Sequence, residues 1–463
     1  MISERLEELA LAAGGKLVNG KPDLLIKGLF SDTRAPLVGG MFVALRGENF
    51  DGNRFAREAI EKHGAAAVLL DQPDAAKELP KNAGAILVGD TREGYLGIAS
   101  AHRKKLSSKL WFGVTGSVGK STTKEMLAHI LETGAGLRIH KAKGSFNNAV
   151  GLSHTILGMS ETQQAAVLEL GTNHPGEIRQ LATVARPNIA VITCAAESHL
   201  EAFRTVENVA REKGEILAFQ EPQDVAILNA DSPYLPLWKE KARGKVVTFG
   251  LNPDARIHAK YIRINDAGCA AFMVRCGDEI ADCCLRTPGL HQVSNALAAM
   301  AAAMAGGMTL AATARAMNTF EGVARRFAVR TQRGITLIDD AYNANPASFA
   351  AALDTLKAMH ATRRFVVAGD MLELGEVSGA QHLELGRKLA ECNLRGLITV
   401  GELASVAGAA AVGNGLPRAN WMPCATPESA GAALKPILRE GDVVLVKGSH
   451  SIHLEKCCAA LEA

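Results

Sequence analysis

Apolar positions along this chain recur with two periods. Short apolar runs, four to six residues long, alternate with longer stretches whose apolar residues fall three and four apart. Runs of the first kind predict strands, and stretches of the second predict the helices between them. After an amphipathic opening helix in MISERLEELALAAGG, strands are predicted at residues 41–45 and 66–70, with a helix over 55–62. A second series of strands falls at 110–114, 166–170, 188–193, 225–228 and 246–249. A third falls at 335–338, 365–368, 397–400 and 443–446, with helices near 346–359 and 378–391. Between the second and third series lies PGLHQVSNALAAMAAAMAGG, an alanine-rich helix that is small enough to pack closely. Strand–helix alternation of this kind predicts an α/β fold with mainly parallel sheets covered on both faces.

At 463 residues the chain is long enough for about three domains, because single cores seldom grow past roughly 250–300 residues. The expected divisions are a smaller N-terminal α/β domain over 1–107, a central domain with a mainly parallel sheet over 108–324, and a C-terminal Rossmann-like domain over 325–463. The formal net charge is only +3 and aromatic residues make up 5%, which argues against a nucleic-acid partner recognised by bulk charge or stacking. Nine cysteines are scattered without a CxxC, and the adjacent pairs Cys283/Cys284 and Cys457/Cys458 are poor zinc clamps, so free thiols are expected. No apolar run reaches membrane-spanning length and the N-terminus has no signal-type core; a cytoplasmic protein is expected.

The strongest chemical signal is TGSVGKS, residues 115–121, between a predicted strand and a predicted helix. Gly116 and Gly119 let the backbone turn its N–H groups onto phosphate oxygens, and the helix N-terminus adds partial positive charge. Lys120 supplies a full charge and the Ser121 hydroxyl can ligate Mg²⁺. Val114 stands where the full P-loop pattern has glycine, so only the shorter TGxxGKS form is present. The flanking strand and helix favour nucleotide binding over a surface turn that happens to carry a lysine.

Other polar residues fall at predicted strand ends, where open α/β sheets bind ligands. Glu169 closes AAVLELG beside the phosphate loop and can serve the same metal as Ser121. His199, in AAESHLEAF, is either a second metal ligand or a turn cap. Lys213, flanked by Glu212 and Glu215, reads by itself as an ordinary ion-paired lysine. Asn295 is polar within the alanine-rich helix, and either caps a packed interface or faces a base. Arg34, Arg46 and Glu48 lie in or beside glycine-rich turns, as anion contacts or as solvated charges. The last series of strands ends in IDDAYNANP, GDMLELGE and KGSHS, but no GxGxxG follows its first strand, so an independent dinucleotide site is not expected there.

In this order, TGSVGKSTTKEM, GSFNNAVGL, LELGTNHPGEI, SHLEAF, AREKGEIL, DDAYNANPAS, GDMLELGE and VLVKGSHS closely resemble the Mur ligases over nearly the whole chain. Within that family they resemble the enzymes that join D-Ala-D-Ala to a UDP-MurNAc-tripeptide in peptidoglycan synthesis. The resemblance implies an ATP-dependent amide-forming ligase that works through an acyl phosphate, with ATP and Mg²⁺, two ions, as cofactors. It implies that Thr115, Gly116, Ser117, Val118, Gly119, Lys120, Ser121 and Thr122 hold the phosphates, with Asn295 at adenine. Arg326 would reach the phosphates from a linker, and Asp340, Asn343 and Asn345 would face the nucleotide from the last domain. Ser121, Glu169, His199 and Lys213, the last as a carbamate, are the implied metal ligands. Lys120, Glu169, His199 and Lys213 are the implied catalytic residues. The UDP-MurNAc-tripeptide is implied to lie against Ser31, Asp32, Thr33, Arg34, Arg46, Gly47, Glu48, Asn147 and Asn148. Asn53 stands where the family commonly has histidine. Because these residues lie on different domains, the resemblance further implies an open and a closed state. A monomer is expected.

Two other ligase readings fit less well. The family member that adds the third peptide residue usually carries DNPR, which is absent here, and the NHPGEI and DDAYNANP segments fit a folylpolyglutamate- or cyanophycin-type ligase poorly. A non-catalytic nucleotide switch would make the carboxylates and Lys213 incidental.

Overall fold

The computed structural model describes residues 2–47, 50–106 and 109–462. The expected alternation folds into three α/β units, each built on its own principal sheet. The first sheet has five strands in the order Lys16–Asn19, Gly84–Leu87, Ala67–Leu70, Met41–Val43, Leu29–Phe30, parallel except at Lys16–Asn19.

The central sheet has nine strands. Seven are parallel, the first six in the order Ile139–Lys141, Ala165–Glu169, Leu110–Thr115, Ile189–Ile192, Val225–Asn229, Lys245–Gly250. Leu110–Thr115 therefore lies between Ala165–Glu169 and Ile189–Ile192, and the loops following all three emerge at one edge. Ile257–Ile264 continues the sheet, and Cys269–Cys276 and Glu279–Pro288 add to it as antiparallel strands, which the sequence reading did not anticipate. Their residues alternate between buried and exposed positions, with tight turns at Gly268 (φ +79°) and Gly277 (φ +62°). A search for continuous apolar runs finds strands buried on both faces and passes over these, which are buried on one.

The third sheet runs Ala328–Gln332, Ile335–Asp340, Asp442–Lys447, Arg363–Gly369, Leu394–Val400, Trp421–Cys424, parallel after its first, antiparallel pair.

The apolar cores divide differently from the sheets. One continuous cluster runs from Leu6, Ile98 and Ala99 through Trp111, Leu152 and Ile156 to Leu181, so the N-terminal and central units share it. Arg103 is buried in the same seam, with Nε donating to Ala185 O (3.0 Å), Nη2 to Arg186 O (2.9 Å) and its guanidinium 4.3 Å above the Trp111 ring. The two clusters flanking the third sheet contain only residues from Phe327 onward.

Candidate active site

The phosphate loop is built as its glycines require. Gly116 has φ +146°, and a Cβ there would lie 1.9 Å from Thr193 Oγ1; Gly119 has φ +85°, and a Cβ there would lie 2.3 Å from Asn295 Oδ1. The helix Lys120–His129 starts directly after Gly119. Thr115 is fully buried and its Oγ1 donates to Leu170 O (2.7 Å), which ties the loop's base to the neighbouring strand. Ser117 Oγ accepts from Ala196 N (3.0 Å), fixing the loop to the segment after Ile189–Ile192. Lys120 Nζ donates back to Gly116 O (2.7 Å), and burial lowers its pKa, partly offset by the Glu169 carboxylate.

Ser121 and Glu169 meet: Ser121 Oγ donates to Glu169 Oε2 at 2.6 Å, and Asn147 Nδ2 donates to Oε1 at 2.9 Å. Glu169 is 1% exposed. Two hard oxygen donors beside a phosphate loop suit Mg²⁺, which takes few protein ligands and completes its shell with water and phosphate. Among the described residues no three His, Cys, Asp or Glu side chains form a protein-only metal cage.

These residues line one cleft between the central and C-terminal units. Ser117, Val118, Gly119, Lys120, Thr122, Asn147, Glu169, His199 and Asn295 face it from one side, and Arg326, Asp340, Asn343 and Asn345 from the other. Asn295 lies directly over Gly119, with Nδ2 donating to Gln292 Oε1 (3.0 Å). Arg326 sits 4.0 Å above the Tyr342 ring, whose hydroxyl contacts Ser145 Oγ of the central unit. Asp340 accepts from Lys447 Nζ (2.7 Å) and from Phe327 N (3.0 Å). Asn345 caps the helix Pro346–Ala358 in a reciprocal pair with Ser348.

Lys213 departs from its bland reading. Glu212 is occupied with Gly176 N (2.9 Å) and Ile178 N (2.8 Å), and Glu215 with Arg179 and Lys241, so neither pairs with Lys213. The lysine is 1% exposed, and burial, with Lys120 nearby, pulls its pKa down to about 7. A substantial share of it is therefore a neutral amine at physiological pH.

The remaining described candidates are not among the residues that line the cleft. Asp32 and Arg34 form a bidentate, exposed pair with each other, Nε–Oδ1 2.9 Å and Nη2–Oδ2 2.7 Å. Ser31, Thr33 and Gly47 belong to the same N-terminal unit, and Arg46 pairs with Asp71 (3.3 Å). Asn53 bonds Asp51 and Asp71, both at 2.8 Å. Glu48 lies outside the described residues. Asn148 spends its side chain on Gly151 N (2.9 Å), capping Ala149–Gly158, whereas its neighbour Asn147 holds Glu169.

Several residues of the site escaped the sequence reading. Lys447, 1% exposed, bridges Asp340 and Asn343 O (2.9 Å). His291 lines the cleft with Nδ1 unpartnered, and burial lowers its pKa to about 4. Lys124, fully buried, donates to Ala142 O (2.9 Å), Gly144 O (2.7 Å) and Glu125 Oε1 (2.9 Å), and so fastens the 142–148 loop that carries Ser145 and Asn147. In KSTTKEM it looks like any helical lysine.

Residues 114–303 match the Mur ligase middle domain, and residues 325–450 match the Mur ligase glutamate ligase domain. The UDP-N-acetylmuramoyl-tripeptide–D-alanyl-D-alanine ligase of Escherichia coli is 33% identical, covering 100% of this chain and 99% of its own. The Bacillus subtilis protein of the same name is 32% identical, with 98% of each covered. Among solved structures, MurF from Acinetobacter baumannii superposes with a TM-score of 0.90 at 29% identity, over 100% of this chain and 99% of that one. MurF from Thermotoga maritima in complex with ADP does so with a TM-score of 0.82 at 26% identity, over 96% and 98%. The chain belongs to the Mur ligase family, in its MurF branch.

Proposed function

We propose that this protein joins D-alanyl-D-alanine to a UDP-MurNAc-tripeptide at the expense of ATP, yielding the UDP-MurNAc-pentapeptide of peptidoglycan synthesis. The single observation that carries the reading is the cleft itself: the Ser121–Glu169 pair and Lys120 face Arg326 and the Asp340–Lys447 pair of another unit. A carboxylate oxygen of the tripeptide attacks the γ-phosphorus, ADP leaves, and a mixed acyl phosphate forms. The dipeptide's amine then attacks the acyl carbon, loses a proton, and expels phosphate through a tetrahedral intermediate. The first step drives one anion against another, so its barrier falls when positive charge is held between them in a water-poor site. Lys120 supplies such charge from one unit and Arg326 from the other. Mg²⁺, held by Ser121 and Glu169, would add neutralising charge at the phosphates, with a second ion at His199 and Lys213.

For Lys213 to serve a metal, its neutral amine must add to CO₂ and lose a proton to become a carbamate. A lowered pKa favours the amine that this needs. Intact-protein mass spectrometry under bicarbonate, compared between wild type and Lys213→Ala, checks it.

We assign the N-terminal unit, 1–107, to the uridine nucleotide and the central unit, 108–324, to ATP. The C-terminal unit, 325–463, is assigned to ATP and the dipeptide. Ser31, Asp32, Thr33, Arg34, Arg46, Gly47, Glu48 and Asn147 remain the substrate contacts proposed. A monomer is proposed. Soluble nucleotide substrates fit a cytoplasmic enzyme, and no helix among the described residues is long and apolar enough to cross a membrane. Phosphate release should depend on D-Ala-D-Ala with a tripeptide nucleotide ending in either diaminopimelate or lysine. Release driven equally by free diaminopimelate or lysine as acceptor would refute the assignment.

A further inference from the structure

Glu373 lies on the GDMLELGE segment of the C-terminal unit, outside every role given above. Its Oε2 is 2.5 Å from Nδ1 of His199, which belongs to the central unit and lines the cleft with Lys120, Glu169 and Asn173. We propose that Glu373 is a positioning residue for His199: it holds the imidazole by Nδ1, leaves Nε2 for the second metal, and so couples loading of that metal to docking of the C-terminal unit. The proposal rests on the reading of His199 as a metal ligand.

Three features of the contact support it. Both residues carry left-handed backbone, His199 at φ +52° and Glu373 at φ +62°, a conformation non-glycine residues keep only where their surroundings enforce it. Two residues further on, Gly375 has φ +58°, and a Cβ there would come within 3.1 Å of the Glu201 Cα, so the segment rests directly on the backbone that carries His199. The Glu373 side chain is 56% exposed, and a contact so open to water adds little stability. Strained backbone on both sides of a pair worth so little as an anchor points to orientation as its use. Histidines that bind metals commonly give their other ring nitrogen to a carboxylate, which fixes tautomer and ring direction. Here that carboxylate comes from the unit across the cleft, so the ring is fully oriented only when the two units meet.

The test is Mn²⁺ binding to the full chain in the presence of ADP, followed by electron paramagnetic resonance, with small-angle scattering as a readout of closure. Wild type should bind two ions, and His199→Ala should lose one. Glu373→Ala should keep both sites but weaken the second by roughly tenfold or more, and should shift the scattering profile toward the open form. Glu373→Gln, which retains an acceptor oxygen without the charge, should fall between them. If His199→Ala loses an ion while Glu373→Ala binds Mn²⁺ as wild type does, the Glu373 proposal fails and the ligand reading of His199 stands. If His199→Ala keeps both ions, the ligand reading fails and the proposal goes with it. Glu373 is exposed, so loss of fold is not expected in its variants, and thermal melting verifies this.

Discussion

The two junctions of this molecule are built from opposite materials. Between the N-terminal and central units lies one continuous apolar core, crossed by the buried Arg103 that donates to carbonyls of the far side. Between the central and C-terminal units lie a polar cleft and scattered contacts, among them His199 with Glu373, Tyr342 with Ser145, His360 N donating to Asp266 O, and Met359 beside Gly268, with no shared apolar core cluster among the described residues. Their connecting segment carries left-handed backbone at Gly322, Arg325 and Phe327. Separating the first pair would expose a core to water; separating the second would chiefly rehydrate polar groups. The difference teaches which unit moves. On the assignment proposed above, the uridine end of the substrate would be held on a fixed platform, and the catalytic charges would be assembled by the unit that can swing.

The largest effect should come from the assembled site. Lys120→Ala should lower turnover by about a thousandfold or more, measured as phosphate release, with little change in melting temperature. If it turns over normally, the polar junction is not where the chemistry occurs.

The apolar junction should fail by stability instead. Ile98→Ala removes a fully buried side chain from the shared core and should cost about 3 kcal/mol. Urea unfolding should show the N-terminal and central units melting together, with the C-terminal unit in a separate transition. Three independent transitions would break the comparison.

His291 sharpens it through pH. Its folded pKa, about 4, lies below the ordinary histidine value near 6.5, so as pH falls the unfolded chain takes up the proton first. The contribution of His291 to stability should therefore drop between about pH 6.5 and 4 and level off below. His291→Gln should remove about 2 kcal/mol of that decline, less than the full shift implies because part of the ring faces the cleft. An unchanged slope in the variant would refute this.

The smallest effect is expected at Lys124. Replacement by Met should loosen the 142–148 loop, lower turnover by about tenfold and raise the Mg²⁺ concentration needed for half-maximal rate, since Asn147 would no longer hold Glu169. Lower activity with an unaltered Mg²⁺ requirement would leave Lys124 a merely structural residue.

What could be read from the sequence was whatever is local. TGSVGKS identified itself by strand, glycines and helix start, and Glu169 was predicted at Ser121 because neighbouring parallel strands end at the same edge. The chain's motifs also named the family. The antiparallel strands Cys269–Cys276 and Glu279–Pro288 were missed because their burial is one-sided. Taken by itself Lys213 looked ion-paired, but the carboxylates beside it in sequence turn to backbone amides and to other cations. Lys124 gave no signal, since it acts on a segment distant in the chain; Glu373 lay within the strand-end loop GDMLELGE, but nothing local tied it to His199. Asn148 did give one: an asparagine immediately before an apolar helical run is an N-cap pattern.

The central claim is that a peptide carboxylate is phosphorylated in the cleft before the amide forms. Its most direct test uses UDP-MurNAc-tripeptide labelled with ¹⁸O in the reacting carboxylate, with ATP, Mg²⁺ and D-Ala-D-Ala. The account predicts that the released phosphate carries one labelled oxygen for each amide bond made. Unlabelled phosphate accompanying the same pentapeptide would contradict it.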